Sequence, residues 1–395
     1  MNDLAVEEAR ARMLGLAVDL PSERVPLEAA FGRVLAETIA AERDQPPFNA
    51  SAMDGWAVSG AGVDFSIVGE SAAGHAYAKT LKPGEAVRIF TGAPVPDGAE
   101  RVVIQEEAEA KSGRLTTPPA DDGAHHIRPA GGDFRKGQTL LERGARLDAW
   151  RIGLVAAAGR ASVAVARAVK VVLVSTGEEI VPPGGDPGPD QIFDSGGPTL
   201  ARLIARWGGA EPVLLRAGDD AAAIARTIAT AGGDLVVTLG GASVGDHDLV
   251  KPALAELGLK LSVETVRMRP GKPTWFGVLA DGRRVLGLPG NPASALVCAE
   301  LFLRPLLSVM QGAEPGPRLL TARLGAPMPP NGGREHWARG RLSSADGALV
   351  VQAMLDQDSS LVKVFAEAGA LIRRSIGAPA ADAGAVVDIL PLERL

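Results

Sequence analysis

Between residues 168 and 310 the chain alternates two kinds of apolar run, and this alternation restricts its fold more than any other feature. KVVLVS, PVLLR, DLVVTL and RVLGLPG are short and rich in aliphatic and β-branched residues. PTLARLIARWG and DDAAAIARTIATAG instead space their apolar residues by three and four, as Leu200, Leu203, Ile204 and Trp207 do in the first. Strands without a polar face, separated by amphipathic helices, predict a parallel sheet covered on both sides. NPASALVCAELFLRPLL predicts one more helix, with Asn291 as N-cap and Pro292 in its first turn. In open sheets of this kind ligands bind beyond the carboxyl ends of the strands. Four such ends carry the loops STGEE, LRAGDD, LGGASVGDHD and GLPGNP, and their coincidence in one sheet points to a site.

The 395 residues exceed what one core holds, so two to four domains are expected. The first forty-odd residues read as helical, with Leu27, Ala30, Phe31 and Val34 on one face. QPPFNASAMDGWAV then breaks the helix with two prolines, and short alternating runs divided by Gly and Pro turns continue to about residue 135. The helical pattern returns around LDAWRIGLVAAAG, and short alternating runs follow GAEPGP. This order predicts a multidomain α/β plus β chain. An elongated helical domain (1–46 and 136–166) holds an inserted β domain (47–135), followed by a three-layer α/β domain (167–312) and a C-terminal β domain (313–395).

Composition excludes several classes. A hydrophobic content of 46% supports globular cores, and a net charge of −6 argues against a general nucleic-acid binder. Cys298 is the single cysteine, so no internal disulfide framework exists, and it reads as a small apolar residue on a helix. The start, MNDLAVEEAR, is charged and unlike a secretory h-region. The apolar stretch AVARAVKVVLV, read as the longest, is interrupted by Arg167 and Lys170, so no membrane span and a cytoplasmic location are expected. The histidines show no zinc-ligand spacing, GxxxxGK[ST] does not occur, and there is no convincing serine triad.

The strand-end loops carry complementary chemistry. PGNP before a helix offers backbone N–H groups and a positive dipole end to an anion, although a plain glycine turn with an N-cap explains it equally well. RMRPGKPTW brings Arg267, Arg269 and Lys272 toward the same sheet end, either as oxyanion ligands or as surface cations. Glu178, Glu179, Asp219, Asp246 and Asp248 supply the opposite charge, and His247 reads as a solvated loop residue as readily as a functional one. Carboxylates beside a phosphate site usually indicate Mg²⁺. A phosphorylated, anionic ligand with a divalent cation is therefore expected.

Together, FNASAMDGWAV, RIFTGAPVP, IRPAGGDFRKG, VSTGEEI, LGGASVGDHDLVK, RPGKPTWFG and GLPGNPAS resemble the bacterial MoeA family of molybdopterin molybdenumtransferases. They occur in the family's order across nearly the whole chain. The resemblance implies the four-domain fold, with the α/β domain binding molybdopterin. It implies a reaction in which molybdate is inserted into adenylyl-molybdopterin with release of AMP, assisted by Mg²⁺. It implies a homodimer whose site joins two chains, and a molybdopterin adenylyltransferase as a candidate delivery partner. By matching position, Asp54, Thr91, Asp133, Glu179, Asp219 and Asp248 are the expected catalytic residues, with Glu179 and Asp248 also on the metal. Ser175, Gly240, Gly241, Ser243, Arg269, Lys272, Pro289, Gly290, Asn291, Pro292 and Ser294 are expected to bind the pterin nucleotide. Arg334, Arg339 and Ser359 are expected near molybdate. The chain departs from the family pattern at Gly196 (usually Asn), Arg269 (usually Lys), Trp56 (commonly Tyr) and His336 (usually Glu). Two other readings stay open: a molybdopterin adenylyltransferase, and a non-catalytic dimeric scaffold.

Overall fold

The computed structural model describes residues 3–120, 125–218, 220–241, 249–316 and 318–392. Its central element is a six-stranded sheet in the order Val213–Ala217, Val171–Thr176, Leu235–Leu239, Arg284–Leu288, Trp275–Val278 and Lys260–Val263. The first four strands are parallel, as their apolar sequences predict, and the last two are added at one edge through antiparallel pairings. All five residues of Leu235–Leu239 are buried because both faces of the sheet are covered. Leu235, Val237 and Leu239 enter one core, and Val236 enters the other with Val172 and Val174. The Ala221–Thr230 helix covers the second core, capped by the Asp220 carboxylate on the N–H groups of Ala222 and Ala223.

The first core is covered by Gly196–Arg206 and by one continuous helix from Pro292 to Met310. This helix, rather than AVARAVKVVLV, is the most apolar long segment, with a mean hydropathy of 1.6 over a membrane-length window. That window is 89% buried, so its apolarity is that of a core helix enclosed by protein. Its middle turn, Ala299–Leu303, is π-helical and ends two residues before Pro305, which has no N–H for the Leu301 carbonyl.

The helix expected over the first forty-odd residues is confined to Val6–Gly15, which packs Val6, Ala9 and Met13 into the α/β core. Residues Ser22–Pro26 form a strand paired antiparallel with Ser162–Ala166. Helical spacing misled here because Pro26 has no N–H to donate and Gly32 adopts φ +76°, while a partner strand was available. Phe31, placed on the predicted apolar face, is 67% exposed. The second helical pattern does form, as Ala149–Ala157, capped by Asp148 on the Arg151 N–H at 2.8 Å.

The inserted domain is a six-stranded sheet with small cores on both sides. In the C-terminal domain Glu335–Ala345, Ala348–Ala353, Leu320–Leu324, Val386–Pro391 and Ala370–Arg374 each pair with two neighbours and close into a barrel. The short strand Met268–Arg269 leaves the α/β domain and pairs with Glu335–His336. Trp337, Leu371 and Leu390 on the outer barrel face join the α/β core. One continuous apolar core therefore fixes the barrel against the sheet.

Candidate functional site

The carboxyl ends of the parallel strands open into a cavity of about 770 Å³. Of the residues predicted to bind the pterin nucleotide, Ser175, Gly240, Gly241, Pro289, Gly290, Asn291 and Pro292 line it, as does Glu179. Gly240 has φ +89°, and a Cβ there would sit 2.8 Å from Thr176 Oγ1 and 2.9 Å from its carbonyl oxygen. At Gly241 (φ +58°) a Cβ would collide with Val250. These glycines let adjacent strand ends approach each other while keeping the floor of the cavity open. Ile180, Ile192, Phe193, Leu239 and Val250 give the cavity an apolar wall. Asp219, Ser243 and Asp248 lie outside the described residues.

Asn291 precedes the long helix, but its side chain does not cap it. Its Nδ2 donates instead to Ser359 Oγ at 2.9 Å, and the Ala293 N–H donates to the Ser359 carbonyl at 3.1 Å. The barrel segment thus takes over part of the helix cap, which places Ser359 at the rim of a cavity also lined by Ser360. Sequence spacing could not show this, because 68 residues separate the pair.

Arg339 follows from the same segment. Its backbone N–H donates to Gln357 Oε1 and its Nη2 donates to the Asp358 carbonyl at 2.8 Å. The side chain is fully buried, yet Nε and Nη1 have no acceptor among the described residues. Burial holds its pKa below the usual guanidinium range, with Asp356 and Asp358 opposing that shift. A buried cation with unsatisfied donors is costly and is suited to meet an anion.

Other predicted residues are placed elsewhere. Lys272 pairs with Asp3 at 3.4 Å and Arg269 donates to Asn331 Oδ1 at 2.9 Å, and of their loop Pro273 lines the cavity. Ser294 is buried in the first turn of the helix. Arg334 and Asp133 are exposed and do not line the cavity. His336 sits beside Arg269 and Arg374 in the strand register. Its pKa falls to about 4, chiefly through burial and then through Arg269, Arg339 and Arg374.

Asp54 and Thr91 meet within the inserted domain. Thr91 donates to Asp54 Oδ1 through its N–H and its hydroxyl, both at 2.7 Å. These bonds hold the Asp54 carboxyl below the usual carboxylate range. Neither residue lines the cavity of its own chain.

Sequence reading missed Asp194 and Arg216. Asp194 accepts from the Gly197 N–H (2.8 Å) and the Ser175 hydroxyl (3.4 Å), and pairs with Arg216 at 3.7 Å. An aspartate two residues before a Gly-Gly-Pro helix start is a capping signal that would have marked it. At Gly196 a side chain would touch Leu239 at an ordinary 3.5 Å, so this glycine leaves open room rather than avoiding a clash. Among the described residues no group of three or more His, Cys, Asp or Glu side chains could hold a metal ion.

Three family models match consecutive parts of the chain. They are the MoeA N-terminal region (domains I and II) over 4–159, a probable molybdopterin binding domain over 172–309, and the MoeA C-terminal region (domain IV) over 321–392. A molybdopterin molybdenumtransferase of Haemophilus influenzae is 32% identical over 403 residues, spanning 99% of both chains. The chain belongs to the MoeA family of molybdopterin molybdenumtransferases. Another family member, from Nostoc, is 37% identical over 82% of this chain and 78% of its own. The solved structure of a molybdopterin biosynthesis MoeA protein from Pyrococcus superposes over the full length of both chains, with a TM-score of 0.82 and 31% identity.

Proposed function

We propose that this chain inserts molybdenum from molybdate into adenylyl-molybdopterin and releases AMP. Arg339 carries the reading: a buried guanidinium with unsatisfied donors, held by the same segment whose Ser359 reaches Asn291 at the cavity rim. In this reading molybdate, a dianion, accepts from Nε and Nη1, which are buried without an acceptor among the described residues, and is held beside Ser359. The apolar wall of Ile180, Phe193 and Leu239 covers the pterin, and Gly240 and Gly241 admit its phosphate close to the backbone. The sulfurs that receive the metal belong to the substrate, which suits a chain whose one cysteine is buried.

Glu179 fits a divalent cation, because its carboxylate lines the cavity, whereas Asp194 is already engaged by Ser175, Gly197 and Arg216. Mg²⁺ is usually held by one or two carboxylates together with substrate phosphate oxygens. When bound, Mg²⁺ would neutralise charge on the phosphoanhydride. Asp54 and Thr91 form a preset hydrogen-bonded pair that does not line the cavity of their own chain, so they are assigned to the cavity of a second copy in a homodimer. The enzyme would act in the cytoplasm and receive its substrate from an adenylyltransferase.

The test is incubation of the purified chain with adenylyl-molybdopterin, molybdate and Mg²⁺. Molybdate-dependent AMP release supports the proposal. ATP-dependent adenylylation of molybdopterin without that release would assign the preceding step, and neither activity would leave a scaffold.

A further inference from the structure

One wall of the cavity at the strand ends is not fastened by the core. Glu179, Ile180, Ile192, Phe193, Asp194 and Ser195 form it, all from the segment between the Val171–Thr176 strand and the Gly196–Arg206 helix. The segment folds on itself as a short parallel ribbon, Ile180–Val181 against Ile192–Phe193. The Ile192 N–H donates to the Glu179 carbonyl at 2.7 Å and the Asp194 N–H to the Val181 carbonyl at 2.8 Å, while Gln191 Nε2 donates to the Glu178 carbonyl at 2.9 Å. None of the ribbon's apolar side chains belongs to either core of the α/β domain, and Ile192 and Phe193 are 58% and 49% exposed. Apolar burial therefore does not decide where this ribbon sits.

Arg216 supplies an attachment. It lies near the carboxyl end of the edge strand Val213–Ala217, opposite Ser175 in the parallel register. Its Nη1 donates to the Ile180 carbonyl at 3.3 Å, on the first strand of the ribbon. Its Nη2 lies 3.7 Å from the Asp194 carboxylate, just past the second. Asp194 is also held by the Gly197 N–H at 2.8 Å and the Ser175 hydroxyl at 3.4 Å. Ser175 and Gly197 belong to the strand and helix that continue from the ribbon, whereas Arg216 comes from a strand the chain reaches only after that helix. One guanidinium thus ties both strands of the ribbon to the sheet edge. Its planar fork holds two acceptors in a fixed relation, which a lysine ammonium on a flexible stem does not. The ordinary reading is a partly exposed ion pair of small energetic value. Placement gives it weight here, because both acceptors belong to residues of the cavity wall.

We propose that Arg216 is a positioning residue for the reaction, holding the ribbon against the cavity so that Ile180 and Phe193 meet the pterin. The inference rests on the reading of this cavity as the pterin-nucleotide site. Arg216 touches no reacting atom, so its removal acts on substrate binding and not on the chemical step.

The test pairs amide hydrogen exchange with steady-state AMP release at saturating molybdate and Mg²⁺, in the parent, Arg216→Gln and Arg216→Lys. Without substrate, the Ile192 and Asp194 amides should exchange about tenfold faster in Arg216→Gln. The amides of Leu235–Leu239 and Ala221–Thr230 should keep parental rates, with Tm unchanged. KM for adenylyl-molybdopterin should rise about five- to tenfold with kcat within about twofold of the parent, the pattern of lost uniform binding. Arg216→Lys, which keeps the charge and reaches one acceptor at a time, should fall between the two. Parental exchange and parental KM in Arg216→Gln overturn the proposal. A lowered Tm with faster exchange across the whole sheet also overturns it, because Arg216 would then be an ordinary structural residue. A parent that binds no adenylyl-molybdopterin, while its ribbon still loosens in Arg216→Gln, overturns the reading of the cavity and leaves the attachment standing.

Discussion

Arg339→Met separates a functional guanidinium from a structural one. The substitution keeps most of the buried stem and removes the charge. It loses the charged hydrogen bond from Nη2 to the Asp358 carbonyl, worth about 1.5–3 kcal/mol. It also removes two buried nitrogens without acceptors, each of which costs about 1–3 kcal/mol in the ligand-free fold. The opposing terms are comparable, so the ligand-free variant should lie within about 1 kcal/mol of the parent, a shift of only a few degrees in Tm. Activity should respond quite differently. Losing the guanidinium at a desolvated anion contact should raise the molybdate requirement about a hundredfold, while affinity for the pterin nucleotide stays within about threefold. The assays are thermal unfolding with and without molybdate, equilibrium binding of the nucleotide, and AMP release across a molybdate titration. Molybdate should raise the parent's Tm by mass action and leave the variant's unchanged. A variant that unfolds many degrees earlier yet keeps the parental molybdate requirement would show that Arg339 merely holds the 357–360 segment, and the reasoning would fail.

Four further outcomes are expected. Asn291→Ala removes the bond to Ser359 and should lower global stability by no more than about 1 kcal/mol while raising the molybdate requirement several-fold; an unchanged molybdate titration would detach Ser359 from the site. Glu179→Gln should slow AMP release by about two orders of magnitude at limiting Mg²⁺, and parental rates there would remove Glu179 from the metal. His336 titrates near 4 in the fold against an ordinary 6.5, so the unfolded chain takes up its proton first as pH falls. Stability should therefore decline between pH 6.5 and 4, by at most about 3 kcal/mol, and His336→Gln should flatten that decline in denaturant titrations; an identical slope would refute the assignment. Co-folding Asp54→Ala with Arg339→Met chains should restore about a quarter of parental activity, because half of the dimers then hold one intact shared site. Activity no higher than that of either variant alone would place Asp54 outside the partner's cavity.

The α/β domain was largely legible in the sequence because its signals are local. Leu235–Leu239 is apolar throughout since both faces of that strand are buried, and Ala221–Thr230 carries its own period and its own Asp220 cap. Gly240 and Gly241 announced a close backbone approach, and the strand ends they follow do open into the cavity. Where a pattern had two physical readings, tertiary contacts chose. Leu27, Ala30 and Val34 keep a helical spacing, yet the preceding residues paired with Ser162–Ala166, a strand more than a hundred residues away. Asn291 has the sequence of an N-cap and became a bridge to Ser359 instead. The meeting of Arg339, Ser359 and the long helix depends on the barrel closing and on Trp337 and Leu371 packing into the sheet's core. A sequence records which residues can be buried or can turn, because those properties belong to each residue and its neighbours. Which distant side chains face one another is decided only when the apolar faces of separate domains pack together.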